Sequence, residues 1–135
     1  MSSSLYVLEN TNSINTSTIT GLESMAIYAN LVVDQGSDFF TQITVEGSDG
    51  NIFDLTSYIA RGQVRKTYSS TTSYDLNASI LNPTSGLINI SLSSTQTAGM
   101  RPGRYVYDVE IVDAQNVVTR VVEGQVEISA RVTRV

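Results

Sequence analysis

Three groupings in this chain have residue types and spacing that chemistry would need. The first is the carboxylate pair Asp108 and Glu110 in RYVYDVEIVD. Two Asp/Glu side chains across one cleft suffice for glycoside hydrolysis, one as the acid and the other as base or nucleophile. Here they alternate with Tyr107, Val109 and Ile111, so strand geometry puts both on a solvated outer face. The second grouping is oxygen-rich: Asp34, Asp38, Glu46, Asp49, Asn51 and Asp54, all in or near turns. Calcium takes roughly six to eight oxygens from such residues. The spacing is not that of an EF-hand loop, and Asp and Asn occupy turns for conformational reasons of their own. The expectation is therefore no cofactor, with a calcium ion near Asp34, Asp38, Asp49 and Asp54 as the alternative. The third grouping is aromatic and cationic. Tyr68 and Tyr74 flank the polar SSTTS stretch and suit stacking on sugar rings, with Arg61, Arg65 and Lys66 just before them. Arg101 and Arg104 bracket Pro102-Gly103 and lead into Tyr105 and Tyr107. Those two tyrosines share a face with Val109 and Ile111 and read as core.

Much chemistry is excluded by what the chain lacks. It has no His and no Cys, so a Ser-His-Asp triad, a cysteine nucleophile and an ordinary zinc site are unavailable. No phosphate-binding loop, dinucleotide fingerprint or nucleophile elbow is present. The expectation is a protein that is not an enzyme. The net charge of −5 arises from 13 acidic and 8 basic residues. Binding a phosphate backbone needs a concentrated positive face, so no nucleic-acid partner is expected. No apolar run approaches the ~20 residues that span a bilayer, and no membrane partner is expected. MSSSLYVLEN lacks the basic start and long apolar core of a secretory signal, which points to synthesis in the cytoplasm.

The elements that must position these residues are strands. Residues 1–24 are mostly Ser, Thr and Asn, with one apolar cluster at Leu5, Tyr6, Val7 and Leu8. Such a segment buries too little apolar surface to offset its own ordering entropy. It reads as an extended N-terminal arm held by the domain or by a neighbouring molecule, with the four apolar residues as its contact. Residues 25–135 read as the folded body. Alternating β-formers mark strands at Ile27–Val33, Phe39–Val45, Ile59–Arg65, Leu87–Leu92 and Arg104–Val112. STTSYDLNASIL reads as one strand with Leu76, Ala78 and Ile80 on a single face. Val117–Val122 and Gln125–Val132 read as two strands separated by a turn at Glu123-Gly124. Gly62 marks a bulge or a close approach. STQTAGM is the one helical turn, with Ser94 or Thr95 as N-cap and Gly99 as terminator. Short strands with frequent turn signals indicate an all-β fold, an antiparallel β-sandwich of Ig-like or jelly-roll-like kind, with a small closed barrel as the alternative.

Three stretches carry a resemblance: MAIYANLVVDQGSDF at 25–39, FDLTSYIARGQVRKTY at 53–68, and the C-terminal run from GLINISLSSTQTAGM through PGRYVYDVEI to the VTRVVEGQVEISARVTR ending. Over about 110 residues the chain resembles small β-sandwich virion structural proteins of tailed bacteriophages, of cyanophage type. These are related to the N-terminal attachment modules of baseplate and tail-fibre proteins. The A-x-x-R pattern of the family's strand is met only loosely, by Ala60 and Arg65. The resemblance departs from the attachment pattern in that an N-terminal arm takes the place of a stalk or receptor-binding head, and capsid decoration or cement competes with a tail, neck or baseplate accessory as its placement. The resemblance implies a non-catalytic virion protein, present in multiple copies and acting through contacts with capsid, tail, neck or baseplate proteins. Arg101 and Arg104, at one sandwich end, would then touch a neighbouring virion protein. A carbohydrate-binding module for the host surface, using Tyr68 and Tyr74, is the alternative from another class.

Overall fold

The computed structural model describes residues 26–47 and 50–133, together with the backbone of 5–9 and 14–16. Ten strands occur among the described residues: β1 (Leu5–Glu9), β2 (Ile14–Thr16), β3 (Ile27–Asp34), β4 (Phe39–Gly47), β5 (Ile59–Arg65), β6 (Tyr74–Asp75), β7 (Ser79–Asn82), β8 (Leu87–Leu92), β9 (Gly103–Val112) and β10 (Val118–Ser129). They form two sheets, one in the order β1-β4-β8-β7 and the other in the order β2-β3-β10-β9-β5-β6. The fold is a β-sandwich, as the alternation implies. Every described pairing is antiparallel except β3 with β10, which is parallel.

The period-2 pattern decides which side of each strand is buried. In β3 burial alternates strictly, with Ile27, Ala29, Leu31 and Val33 inside. Ile43 and Val45 of β4 and Ile88, Ile90 and Leu92 of β8 face them from the smaller sheet. Tyr105, Tyr107, Val109 and Ile111 of β9 are buried, and Asp108 and Glu110 lie outside. Leu55, Leu76 and Met100, from connecting segments, complete one continuous core.

Two strand expectations are corrected. STTSYDLNASIL is not one strand. Tyr74–Asp75 pairs with β5 in the larger sheet, and Ser79–Asn82 pairs with β8 in the smaller one. Between them Leu76 is buried and its N–H donates to the Gly62 carbonyl, while the N–H of Asn77 donates to Ser91 of the other sheet. The chain thus changes sheets without interrupting its alternation. The second correction concerns Glu123-Gly124, which is not a turn but the middle of a 12-residue strand. Gly124 is there because β3 comes close: a Cβ at this position would lie 1.9 Å from the Ala29 carbonyl oxygen. Gly62 has the close approach expected of it, to the Asp108 carbonyl.

Two stretches of the N-terminal 24 residues are edge strands of the sandwich itself. Leu5–Glu9 runs antiparallel along β4, and Ile14–Thr16 runs antiparallel along β3. The larger domain thereby supplies hydrogen-bond partners that the segment's composition could not supply alone.

The helical turn α1 (Ser94–Ala98) is capped by Ser93, one residue earlier than expected. Its hydroxyl accepts from the Gln96 N–H, while the Gln96 side chain accepts from the Ser93 N–H. That reciprocal pair is a capping box. Gln96 also donates to the Asp75 carbonyl and accepts from the Asn77 side chain, so the same residue ties α1 to the sheet crossing. Ser93→Ala should cost about 1 kcal/mol. Urea unfolding would measure it, with faster amide exchange concentrated at residues 94–98.

Candidate functional site

The hairpin between β5 and β6 divides the predicted site residues between two grooves. On one side lies the outer face of the larger sheet, with a groove of about 500 Å³. Tyr68, 81% exposed, borders this groove and not the one that holds Tyr74. Its floor is charged. Arg61 Nε contacts Glu110 Oε1 at 2.8 Å across the β5–β9 pair. Arg120 reaches Asp108 at 3.3 Å and Glu123 at 3.4 Å.

The Arg120 arrangement depends on a register shift. Residues three apart on a regular strand point to opposite faces. Between Arg120 and Val122 the β9–β10 register slips by one residue, and Val121 and Val122 are both buried. This bulge places Arg120 and Glu123 together on the outer face, where Glu123 sits opposite Asp108. Two carboxylates opposite one another repel, and Arg120 bridges them. Burial pushes the Asp108 carboxyl above its ordinary range, Arg120 opposes that shift, and Glu110 and Glu123 reinforce it. The two carboxylates singled out from sequence are therefore held in ion pairs, each to a different arginine. Such exposed pairs contribute roughly 0–1 kcal/mol each.

On the other side of the hairpin, at the sandwich end, lies a cleft of about 740 Å³. Tyr74 and Arg101 line it together, which brings two of the predicted residues into one site. Tyr105 forms the floor. It is buried, but its ring meets Tyr74 edge to face, with centroids 6.3 Å apart. Lys66 Nζ stands 4.8 Å from the centre of the Tyr105 ring and donates to the Arg104 carbonyl at 2.9 Å. Arg104 itself contributes only that carbonyl; its side chain is exposed and does not line the cleft. Ser70, Thr71 and Thr72 form the hydroxyl-bearing wall.

Both walls are braced. Arg65 donates to the Ser70 carbonyl at 2.6 Å, and the Thr67 N–H donates to Ser70 Oγ at 3.0 Å. Opposite, the Tyr105 hydroxyl donates to the Arg101 carbonyl at 2.9 Å. Buried Met100 accepts at its carbonyl from the Gln35 side chain. Burial raises the Tyr105 phenol above its ordinary pKa, as does Tyr74, while the bond to Arg101 and the Arg101 charge partly offset both. Tyr105 therefore stays a neutral donor. The sequence groups Lys66 with Arg61 and Arg65, which line the other groove, so its place over Tyr105 escapes sequence reasoning, as does the dual role of Tyr105, core on one side and cleft floor on the other. The only signal was that Lys66 follows the last strand residue and so can turn over the sheet's end.

The remaining candidates are separate from this cleft. Leu5, Tyr6, Val7 and Leu8 sit in β1, in register with Gly47, Glu46, Val45 and Thr44. Asp38 accepts from the Ser94 N–H at 2.6 Å and so supports the start of α1. Asp54 accepts from both the N–H and the hydroxyl of Thr56, and these bonds lower its carboxyl pKa. The Asp34 carbonyl closes a turn by accepting from the Ser37 N–H. Asp49 lies outside the described residues. Among the described residues, no three acidic side chains gather as a cation site would require.

At the far end of β5 and β9 another feature went unread in the sequence. Ile59, Val112 and Val118 form a cross-strand row on the outer face of the larger sheet, with Val117 next to it. Ile59, Val117 and Val118 are exposed, and Val112, between Ile59 and Val118, is buried. No protein-family model matches this chain, and no curated protein matches it in sequence.

Proposed function

We propose that this chain is a non-catalytic virion structural protein of a tailed bacteriophage, made in the host cytoplasm and docked on a larger assembly by protein–protein contacts. It would serve as capsid decoration or cement, or as a tail, neck or baseplate accessory. The virion context comes from the resemblance of the three sequence stretches. The observation that carries the contact role is the row of Ile59, Val112, Val117 and Val118. Single exposed apolar residues are ordinary, whereas a contiguous group at one place marks an interaction surface. The adjoining row of Arg61, Glu110 and Arg120 gives the patch the charged rim usual for an interface.

Ile59→Lys combined with Val118→Lys tests this reading, because both side chains are already exposed and the fold should tolerate the change. In a phage whose own copy is deleted, the double variant should enter particles at least about tenfold less than the wild type, consistent with a hot-spot loss. Its melting temperature should be unchanged. Equal incorporation, counted by quantitative mass spectrometry of purified virions, would overturn the proposal. The same count separates head from tail: copies in the hundreds fit the capsid, and small multiples follow the rotational symmetry of tail or neck.

The cleft at the opposite end favours a second reading, a module that binds host-surface carbohydrate. Tyrosine rings beside hydroxyl-bearing side chains are what a sugar ring requires.

A further inference from the structure

We infer that the end cleft bounded by Lys66, Tyr74, Arg101 and Tyr105 binds a saccharide bearing a carboxylate, such as a uronic acid residue. The inference rests on the carbohydrate reading and adds the charge class of the ligand.

The protein is acidic, with a net charge of −5, and on the outer sheet face its arginines are neutralised in place. Arg61 is paired with Glu110, and Arg120 with Asp108 and Glu123. The cleft is different. No Asp or Glu lines it, and neither Lys66 nor Arg101 has a carboxylate within ion-pair distance among the described residues. Two cations facing one concave site in an otherwise acidic molecule focus a local positive potential there. Lys66 is held in position by its bond to the Arg104 carbonyl and by the Tyr105 ring, and this ammonium keeps further N–H donors for a ligand. Arg101 is exposed and brings a planar guanidinium suited to a carboxylate.

The rest of the lining selects a sugar over a simple anion. Thr71 and Thr72 present hydroxyls that can donate or accept, beside a Ser70 hydroxyl already bonded to Thr67. Tyr74 supplies a half-buried ring for the apolar face of a pyranose. A volume of about 740 Å³ accommodates more than one sugar residue. The walls are braced on both sides, as the Arg65–Ser70 and Tyr105–Arg101 hydrogen bonds show, so little ordering is required of the protein on binding. An acidic peptide of Asp and Glu would use the two cations but would bring no pyranose face to the Tyr74 ring.

The site also lies at the end of β5 opposite the apolar row. Ile59 begins that strand and Arg65 ends it, a separation of about 20 Å at ~3.3 Å per residue. Docking at one end therefore leaves the other free to face outward.

The test is amide chemical-shift titration of the full chain with tetragalacturonate, its methyl ester and a tetraglutamate peptide, each to about 10 mM. Saturable shifts confined to residues 66–74 and 99–105 with tetragalacturonate, at least about tenfold weaker with the ester, support the inference. Arg101→Gln should weaken uronate binding by about tenfold. Gln115→Ala, in the exposed turn between β9 and β10, should leave it unchanged. Equal binding of acid and ester would overturn the acid requirement while leaving the carbohydrate reading in place. No saturable shift with either sugar would overturn both. Binding of tetraglutamate as tightly as tetragalacturonate would overturn the assignment to a saccharide. An Arg101→Gln protein with native amide dispersion and undiminished binding would remove the cleft as the site.

Discussion

Gly124→Ala is expected to destabilise the protein by on the order of 3 kcal/mol and to lower its melting temperature by about 10 °C. The reason is a single backbone approach. A Cβ on residue 124 would sit 1.9 Å from the Ala29 oxygen and 2.7 Å from its carbonyl carbon. Both belong to β3, which runs parallel to β10 at the heart of the larger sheet. Neither contact is with the end of a flexible side chain, so relief requires moving one strand. The same carbonyl accepts a 2.8 Å hydrogen bond from the Tyr107 hydroxyl. Tyr107 lies opposite Gly124 on β9, so its ring crosses over the glycine to reach β3. Burial raises the Tyr107 phenol well above its ordinary pKa, with Tyr28 adding to the shift, and this keeps it a donor. Tyr107→Phe alone should cost about 1–3 kcal/mol by leaving a buried carbonyl short of a partner. The two changes act on one oxygen, so the double variant should cost at least about 0.5 kcal/mol less than their sum. Gly99→Ala is the contrast. There φ is −83° and the nearest atom to a Cβ is 3.6 Å away, so a change within about 1 kcal/mol is expected. Guanidinium unfolding of the four variants checks the set. Additivity would show that glycine and tyrosine do not share the Ala29 carbonyl.

This glycine also shows where sequence reading stops. Alternation correctly identifies the buried face of β9 and the inner positions of β8, because a half-buried sheet leaves a period-2 record in one strand's own residues. Gly124 leaves no such record. A glycine after a glutamate has the local signature of a turn, and what requires it here is a strand nearly a hundred positions away in the chain. The sheet crossing at Leu76 is hidden for the opposite reason: Leu76 and its neighbours keep the strand alternation while the hydrogen-bond partners change. The site follows the same division. Tyr74 and Arg101 are legible as residue types, one beside a polar hairpin and the other beside a Pro-Gly turn. That Tyr68 falls in a different groove depends on how the hairpin folds over the sheet. That Lys66 joins the cleft depends on a carbonyl of β9. The bulge that aligns Arg120 with Glu123 is written only in the pairing of β10 with β9.

Removing residues 1–24 is expected to leave a folded sandwich that associates with itself. The segment's two described strands lie on the edges of both sheets, β1 along residues 43–47 of β4 and β2 along residues 29–31 of β3. Their loss would present unpaired N–H and C=O groups on two strands at once. Natural edges are blunted by lysine, proline or inward charge, and β4, with the sequence FFTQITVEG, has no lysine or proline and only Glu46 as a charge. It is the kind of strand that pairs with a second copy. Light scattering should therefore show concentration-dependent oligomers where the full chain does not form them. Amide exchange should quicken by at least about tenfold along the freed edges of β3 and β4. Protection should persist in β9, which is paired on both sides, and that persistence separates edge exposure from global unfolding. Leu8→Pro offers a finer test. Val45 turns its own N–H and C=O to Gly86 and Phe53, so its neighbour Thr44 bonds toward β1, and proline at Leu8, in register with Thr44, removes a donor from that ladder. It should reproduce the β4 changes without those in β3. A truncated chain that stays monodisperse with unchanged exchange in β3 and β4 would show that these edges do not depend on the N-terminal strands. Reduced uptake of such a chain into particles would then have to come from contacts that residues 1–24 make with another protein.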